Sequence, residues 1–283
     1  MHLPPWLKTK SINLHKTKRL LRRYRLHSVC EESRCPNQSL CFSKPTATFL
    51  ILGDICTRDC GFCSVKHGQP KPLDYDEPAR IAGAVKELGL KHVVITSVTR
   101  DDIHDGGASI FADTISSIRA NSAHTTIEVL IPDFKANEKA LAKVIDAKPD
   151  VINHNLETIK RLYPSVRPQA DYQRSLSILK FIKEKDKALI TKSGFMLGLG
   201  EQIDEVYDMI DDLASVSCDI LTIGQYLMPS KKNIKVVEYI KPEVFEEIKT
   251  YALQKGFRYV ASGPLVRSSM NAEMILNKLS GGF

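Results

Sequence analysis

From residue 46 onward, short apolar, β-branched runs alternate with longer amphipathic stretches, the pattern of repeated β-α units around a parallel sheet. The runs Thr46–Gly53, His92–Thr96, Thr126–Ile131, Val151–His154, Leu189–Met196 and Ile220–Gly224 read as strands. Apolar residues recur at three- and four-residue intervals over Glu77–Leu88, Ala108–Arg119, Asn137–Ala147, Asp171–Lys185 and Ile203–Val216, which predicts helices. Pro242–Lys255 adds another, with proline in its first turn and Gly256 just beyond its end. Tyr259–Ala261 is a further sheet segment. Six units imply an α/β fold, a partial (β/α)6 TIM-like barrel over residues 46–262, with extensions at 1–45 and 263–283. Functional groups in such folds gather in loops after the strands.

The 283 residues are 43% hydrophobic, enough for a substantial core, which excludes a disordered chain. No run approaches the roughly 20 apolar residues that cross a bilayer, and the first residues lack a secretory apolar stretch, so no membrane association and a cytoplasmic location are expected. The net charge of +7 is concentrated early: Lys8, Lys10, Lys16, Lys18, Arg19, Arg22, Arg23 and Arg25 all precede Glu31. This run is either a solvated tail or a face for an acidic partner, and it also has the look of an organellar transit peptide. It leads directly into Cys30, which argues against cleavage.

Six of the seven cysteines lie between Cys30 and Cys63, a crowding that favours metal binding over a disulfide framework. Cys56, Cys60 and Cys63 form CxxxCxxC in the loop after the first strand, with Gly61 allowing close backbone approach. Three thiolates satisfy three corners of a four-iron cluster and leave one iron open. Cys30, Cys35 and Cys41 form a second incomplete set, CxxxxCxxxxxC. Structural zinc completed by His67 or His27 is the alternative at each triplet. Cys218 stands alone at the start of an apolar run and reads as buried packing.

CxxxCxxC resembles the signature of the radical S-adenosylmethionine (SAM) superfamily, and the tandem triplets resemble the lipoyl synthase family in particular. The resemblance continues through PPWLK at the start, ITSVTRDDIHDGG at 95–107, EVLIPDF at 128–134 and INHNLETIKRLYPSVRPQADYQRSL at 152–176. It resumes in TKSGFMLGLGE at 191–201, LTIGQYLMPS at 221–230 and ASGPLVRSS at 261–269. It implies two [4Fe-4S] clusters: one at Cys56, Cys60 and Cys63 that binds and cleaves SAM, and an auxiliary one at Cys30, Cys35 and Cys41. The fourth ligand of the auxiliary cluster would be Ser269; read as residues alone, Arg267, Ser268 and Ser269 form a polar loop. The family pattern usually continues with tyrosine and histidine, where this chain has Met270 and Asn271.

The implied reaction is radical insertion of two sulfur atoms at C6 and C8 of a protein-bound octanoyl-lysine, with the auxiliary cluster as sulfur source. Implied partners are an octanoylated lipoyl-carrier domain or glycine-cleavage carrier protein, a ferredoxin- or flavodoxin-type donor and an iron–sulfur assembly or carrier protein, with no nucleic acid. Asn153, His154, Glu157, Lys192, Gly198 and Gly200 read, on the residues alone, as turn glycines and polar groups at a barrel mouth. The resemblance makes them contacts to the cofactor or the peptide. MLGLGE lacks the third spaced glycine of a dinucleotide fingerprint. Arg100, Asp101, Asp102, Asp105, Gly106 and Gly107 read either as a close approach to the cofactor or as a charged turn before a helix. The competing functions are a sulfur-insertion enzyme similar to biotin synthase and a non-enzymatic metal-binding scaffold.

Overall fold

The computed structural model describes residues 3–8, 15–43 and 48–279. The expected boundary at 45/46, the strand start at Thr46 and Lys10 of the basic run lie outside the described residues. The described residues fall into two compact units, one within Lys10–Arg58 and Ser64–Ile152, the other within Met1–Thr9, Asp59–Cys63 and Asn153–Phe283.

In the first unit, helices α1 (His15–Arg23), α2 (Val29–Glu32) and α3 (Gln38–Phe42), with strand β1 (His27–Ser28), precede β2 (Thr48–Ile51). Short strands β3 (Ile55–Cys56) and β4 (Lys66–His67) pair with each other, and α4 (Glu77–Leu88), β5 (His92–Ser97), α5 (Ala108–Asn121), β6 (Thr126–Leu130) and α6 (Glu138–Asp146) follow. β1 is antiparallel to β2, whereas β2, β5 and β6 are parallel, in registers such as Leu50 opposite Thr96 and Val94 opposite Glu128. All of β2 is buried, as a parallel strand covered on both faces must be. Against this sheet lie amphipathic faces carrying Ile81 and Val85 of α4 and Phe111, Ile115 and Ile118 of α5, all fully buried. Each such side chain stabilises the fold by about 1.5–3 kcal/mol. The sequence bounds of α4 are met at both ends, because Pro78 fits its first turn and Gly89, at φ 61°, closes it in the left-handed conformation.

The basic run is partly neutralised in α1 and just beyond: Arg22 meets Glu31 at 3.0 Å, and Arg23 pairs with Glu87. Helices α1 to α3 are not part of the sequence expectation. Cys30 sits in the first turn of α2, which is capped by the Ser28 hydroxyl accepting the Cys30 N–H at 3.2 Å.

Strand β7 (Val151–Asn153) carries the division between the units. In the second unit follow α7 (Tyr163–Val166), α8 (Tyr172–Lys185), β8 (Ile190–Leu197), α9 (Ile203–Ser215), β9 (Ile220–Gln225), α10 (Pro242–Gln254), β10 (Tyr259–Ser262) and α11 (Ala272–Leu279). β8, β9 and β10 are parallel, with Gly194 opposite Thr222 and Met196 opposite Gly224. Their core gathers Leu179, Phe195, Ile210, Leu221, Ile223, Phe245 and Ile248. The expected sheet segment at Tyr259–Ala261 is β10, one residue longer than read. Cys218 is buried packing, as its setting suggests, and burial pushes its thiol up to about 12.

At the start of α9, the Glu205 carboxylate accepts the Gln202 N–H at 2.8 Å and takes two hydrogen bonds from Arg161 at 2.7 and 2.8 Å. Arg161 holds the Glu205 carboxyl down at about 2. A depressed carboxyl contributes stability that is present above its unfolded value of about 4.3. That contribution is lost as pH falls toward about 2. Glu205→Gln is therefore expected to cost about 1 kcal/mol at neutral pH. Thermal melts of the variant should converge on the parent's as the pH is lowered; a constant gap down to pH 3 would refute this role.

Candidate iron–sulfur and cofactor site

In the first unit, β2 ends in a sharp turn at Leu52, whose φ of 69° is unusual for a branched residue. Two buried charged side chains fix it: Glu77 accepts the Leu52 N–H at 2.8 Å, and Arg100 donates to the Leu52 carbonyl at 3.2 Å. The turn delivers the chain into the cysteine loop at Cys56. There the loops after β2 and β5 are laced together. Thr57 donates from both its backbone N–H and its hydroxyl to the Thr99 carbonyl, at 3.0 and 2.9 Å, and accepts the Asp101 N–H at 3.0 Å. The Cys56 sulfur accepts the N–H groups of Thr99 at 3.3 Å and Arg58 at 3.4 Å. Two N–H groups aimed at one sulfur fix the orientation of the Cys56 side chain.

Arg58, between the first and second cysteines of the motif, is the residue that sequence reasoning missed. Its guanidinium is buried and forks onto two carboxylates: Asp101 at 2.7 and 2.9 Å, and Asp133 at 2.6 and 2.9 Å. Burial alone would pull the guanidinium down, but the hydrogen bonds to Asp101 and Asp133 outweigh it and hold it above the ordinary arginine value. The signal in the sequence was an arginine inside CxxxCxxC with aspartates just past two predicted strands.

The other charged-turn residues act on their neighbours. Arg100 pairs with Asp102 at 2.9 Å and holds that carboxyl below the usual range. Asp105 accepts the N–H groups of Gly107 and Ser109, both at 3.0 Å, at the start of α5. Gly106 and Gly107 have φ of 61° and 91°, and a Cβ there would meet Phe134 at 2.8 Å and Leu52 at 2.3 Å. Their smallness serves packing.

The second triplet lies wholly in this unit. Cys35 donates its N–H to the Cys30 carbonyl at 3.1 Å, and Cys41, in α3, donates to Asn37 at 2.9 Å. Burial pushes the Cys30 thiol up to about 12, and nearby Cys35 and Cys41 push the same way. The Ser64 hydroxyl, next to Cys63, donates to the Glu32 carbonyl at 2.7 Å. His27, a possible zinc ligand, lies 3.5 Å from Glu32, and His67 is exposed beside Cys56 in the β3–β4 pair. All seven cysteines are described and none is in a disulfide. Among the described residues, no group of three or more His, Cys, Asp or Glu side chains is gathered as a single metal ion would need.

In the second unit, Cys60 and Cys63 are held through their backbone. The Gly61 N–H donates to Val166 and the Ile234 N–H to Gly61, both at 3.0 Å. The Asn233 amide donates to the Cys63 carbonyl at 2.7 Å. A Cβ at Gly61 would lie 2.6 Å from the Ile234 side chain, so Ile234 packs closely over this glycine.

At the end of β7, Asn153 and the following His154 are buried, and the His154 N–H donates to the Lys192 carbonyl at 3.0 Å. Glu157 is in the left-handed region at φ 67°; burial raises its carboxyl, and it accepts the Asn155 amide at 2.9 Å. Lys192, fully buried, donates to the Ser268 carbonyl at 2.5 Å, so the structure brings it to the C-terminal RSS segment. Gly198 and Gly200 form a turn whose N–H groups at Gly198 and Leu199 are accepted by Glu201, at 2.5 and 2.9 Å. Gly198 is also closely approached: a Cβ would lie 2.1 Å from Gln225 and 2.5 Å from the Glu238 carbonyl. Where Met270 and Asn271 depart from the family pattern, Asn271 takes φ 55°, a conformation asparagine tolerates, and its carbonyl accepts the Ile275 N–H as α11 begins.

The sequence of residues 50–213 matches the radical SAM superfamily, and residues 1–35 match the N-terminal domain of lipoyl synthase of the radical SAM family. A lipoyl synthase of Alkaliphilus metalliredigens (strain QYMF) is 56% identical over 278 residues, 97% of this chain and 96% of the relative. One of Caldicellulosiruptor bescii (strain ATCC BAA-1888 / DSM 6725 / KCTC 15123 / Z-1320) is 56% identical over 273 residues, 95% and 94% of the two chains. In fold, the chain is similar to Streptococcus suis SuiB bound to S-adenosylmethionine, with a TM-score of 0.60 over 80% of this chain and 55% of that one at 11% identity.

Proposed function

The chain belongs to the lipoyl synthase family of the radical SAM superfamily, and from that membership we propose how its residues divide the work. As a lipoyl synthase it is a sulfurtransferase of the partial TIM-like barrel class, with SAM and a four-iron cluster as cofactors and a lipoyl-carrier protein as substrate. Cys56, Cys60 and Cys63 hold the cofactor-cleaving cluster. The observation that carries this is the Cys56 sulfur held by two backbone N–H donors, the outer hydrogen bonds that orient a metal-ligating cysteine. Cys30, Cys35 and Cys41 hold a second four-iron cluster, completed by Ser269, whose oxygen is a harder and less tenacious iron ligand than thiolate. When bound, the first cluster and SAM supply the radical that opens an unactivated C–H bond, and the second supplies sulfur.

The chain's own residues orient and exclude. Arg58, with Asp101 and Asp133, fixes the motif's first loop. Asn153, His154, Glu157, Lys192, Gly198 and Gly200 line the cofactor side, most of them buried where water cannot compete for the radical. The product is the octanoyl-lysine of a lipoyl domain or glycine-cleavage carrier sulfurated at C6 and C8. A ferredoxin- or flavodoxin-type donor reduces the enzyme, and an iron–sulfur carrier rebuilds the spent cluster. Residues 1–45, 46–262 and 263–283 are then the auxiliary-cluster extension, the barrel and the serine-bearing extension.

Anaerobically reconstituted protein should carry about eight irons per chain. Given SAM, a reductant and an octanoyl-lysyl peptide, it should yield peptide with two added sulfurs and two 5′-deoxyadenosines per product. About four irons, or cofactor cleavage that never leads to sulfurated peptide, would overturn the assignment.

A further inference from the structure

The segment that ends in the RSS motif lies in a groove cut by two glycines on adjacent strands. Gly194 of β8 and Gly224 of β9 have no positive φ, so it is space that requires them there. A Cβ on Gly224 would lie 2.2 Å from the Val266 carbonyl oxygen. A Cβ on Gly194 would lie 2.4 Å from Thr222 Oγ1 and 2.9 Å from Ser268 Oγ. The parallel register sets Gly194 opposite Thr222 and Gly224 opposite Met196, so both openings fall on the same two strands.

Ser268 is bound at both ends within that groove. Its hydroxyl donates to Asn155 Oδ1 at 3.2 Å and lies 3.3 Å from Thr222 Oγ1. Its carbonyl accepts the buried Lys192 ammonium at 2.5 Å. Glu157 accepts the Asn155 amide N–H at 2.9 Å, which turns the Asn155 oxygen toward Ser268. The backbone completes the seating: Gly263 donates to Ile223 at 3.1 Å, and Gln225 donates to Pro264 at 3.2 Å.

We propose that residues 263–268 are a strap seated in this glycine groove, with Ser268 as its anchor and positioning residue, and that the seating holds whether or not Ser269 binds metal. The two serines then have different tasks. Ser268 fixes the strap to the sheet, so the next residue is presented as a ligand and remains in place after its iron is lost. The presenting half of this inference rests on the proposed Ser269 ligation; the seating half does not.

Hydrogen–deuterium exchange over 263–270 tests it, in the reconstituted full-length protein and in Cys35→Ala, which lacks the auxiliary cluster. The segment should be equally protected in both. Gly224→Ala, whose new methyl meets backbone, should speed its exchange at least tenfold. Ser268→Ala introduces no clash and should speed exchange several-fold, which keeps the test decisive if the glycine variant misfolds. Unchanged exchange in Ser268→Ala and in a folded Gly224→Ala would overturn the seating, and so would Cys35→Ala losing protection as completely as Gly224→Ala. Ser269→Ala separates the two readings: unchanged Mössbauer spectra of the auxiliary cluster would defeat the ligation while leaving the strap's protection intact.

Discussion

Arg58→Met is expected to destabilise the protein by about 3–5 kcal/mol, the cost of removing one partner from a buried charge cluster. The methionine keeps most of the volume but strips the guanidinium from Asp133, whose side chain is 0% exposed, and from Asp101, which is 23% exposed. A chain of this size should melt on the order of 10 °C lower. The variant keeps the backbone N–H that position 58 donates to the Cys56 sulfur but loses the fork that holds that backbone in place, so it should bind the first cluster poorly and cleave SAM at a small fraction of the parent rate. Arg58→Lys, which keeps the charge but loses the fork, should fall between the two. Asp101→Asn should be milder than Asp133→Asn, since Asp101 is the more exposed partner. An Arg58→Met protein that melts with the parent would show that the fork does not hold the loop.

The second large effect is a division of labour between the triplets. Cys60→Ala should abolish reductive SAM cleavage, because the cluster that binds the cofactor loses one of its ligands. Cys35→Ala should retain measurable cleavage and yet form no sulfurated product. Iron should fall by about half in each variant. Equal loss of cleavage in both, with folding intact by circular dichroism, would undo the division.

Much of this architecture was legible because local chemistry agreed with tertiary need. Helix α4 was legible to its final residue from its apolar periodicity, with Pro78 and Gly89 setting those ends in the structure, and the strands of the repeat were recognisable as β-branched runs buried on both faces. Helices α2 and α3 went unread because four or five residues show no periodicity, and α1 because its sequence, HKTKRLLRR, is almost wholly basic around two buried leucines. The cysteines were legible from spacing, but what holds them was not. Arg58 meets partners 43 and 75 positions away, and Ser268 meets partners 113 and 46 positions away, encounters that only the tertiary fold creates. Gly106 and Gly107 show the converse: they were readable as a cofactor approach, and their observed neighbours are Phe134 and Leu52. Ser269 stood out only through the family resemblance, since nothing in propensity or charge separates it from Ser268.

The central claim is that the chain inserts sulfur taken from its own second cluster, and isotope labelling tests it most directly. Protein reconstituted with 34S-sulfide should be given unlabelled SAM and octanoyl-lysyl peptide under anaerobic reduction, and the product read by mass spectrometry. The account predicts that both inserted sulfurs are 34S in a single turnover and that labelled product is absent from Cys35→Ala. Product carrying unlabelled sulfur, or labelled product from Cys35→Ala at the parent's yield, would contradict it.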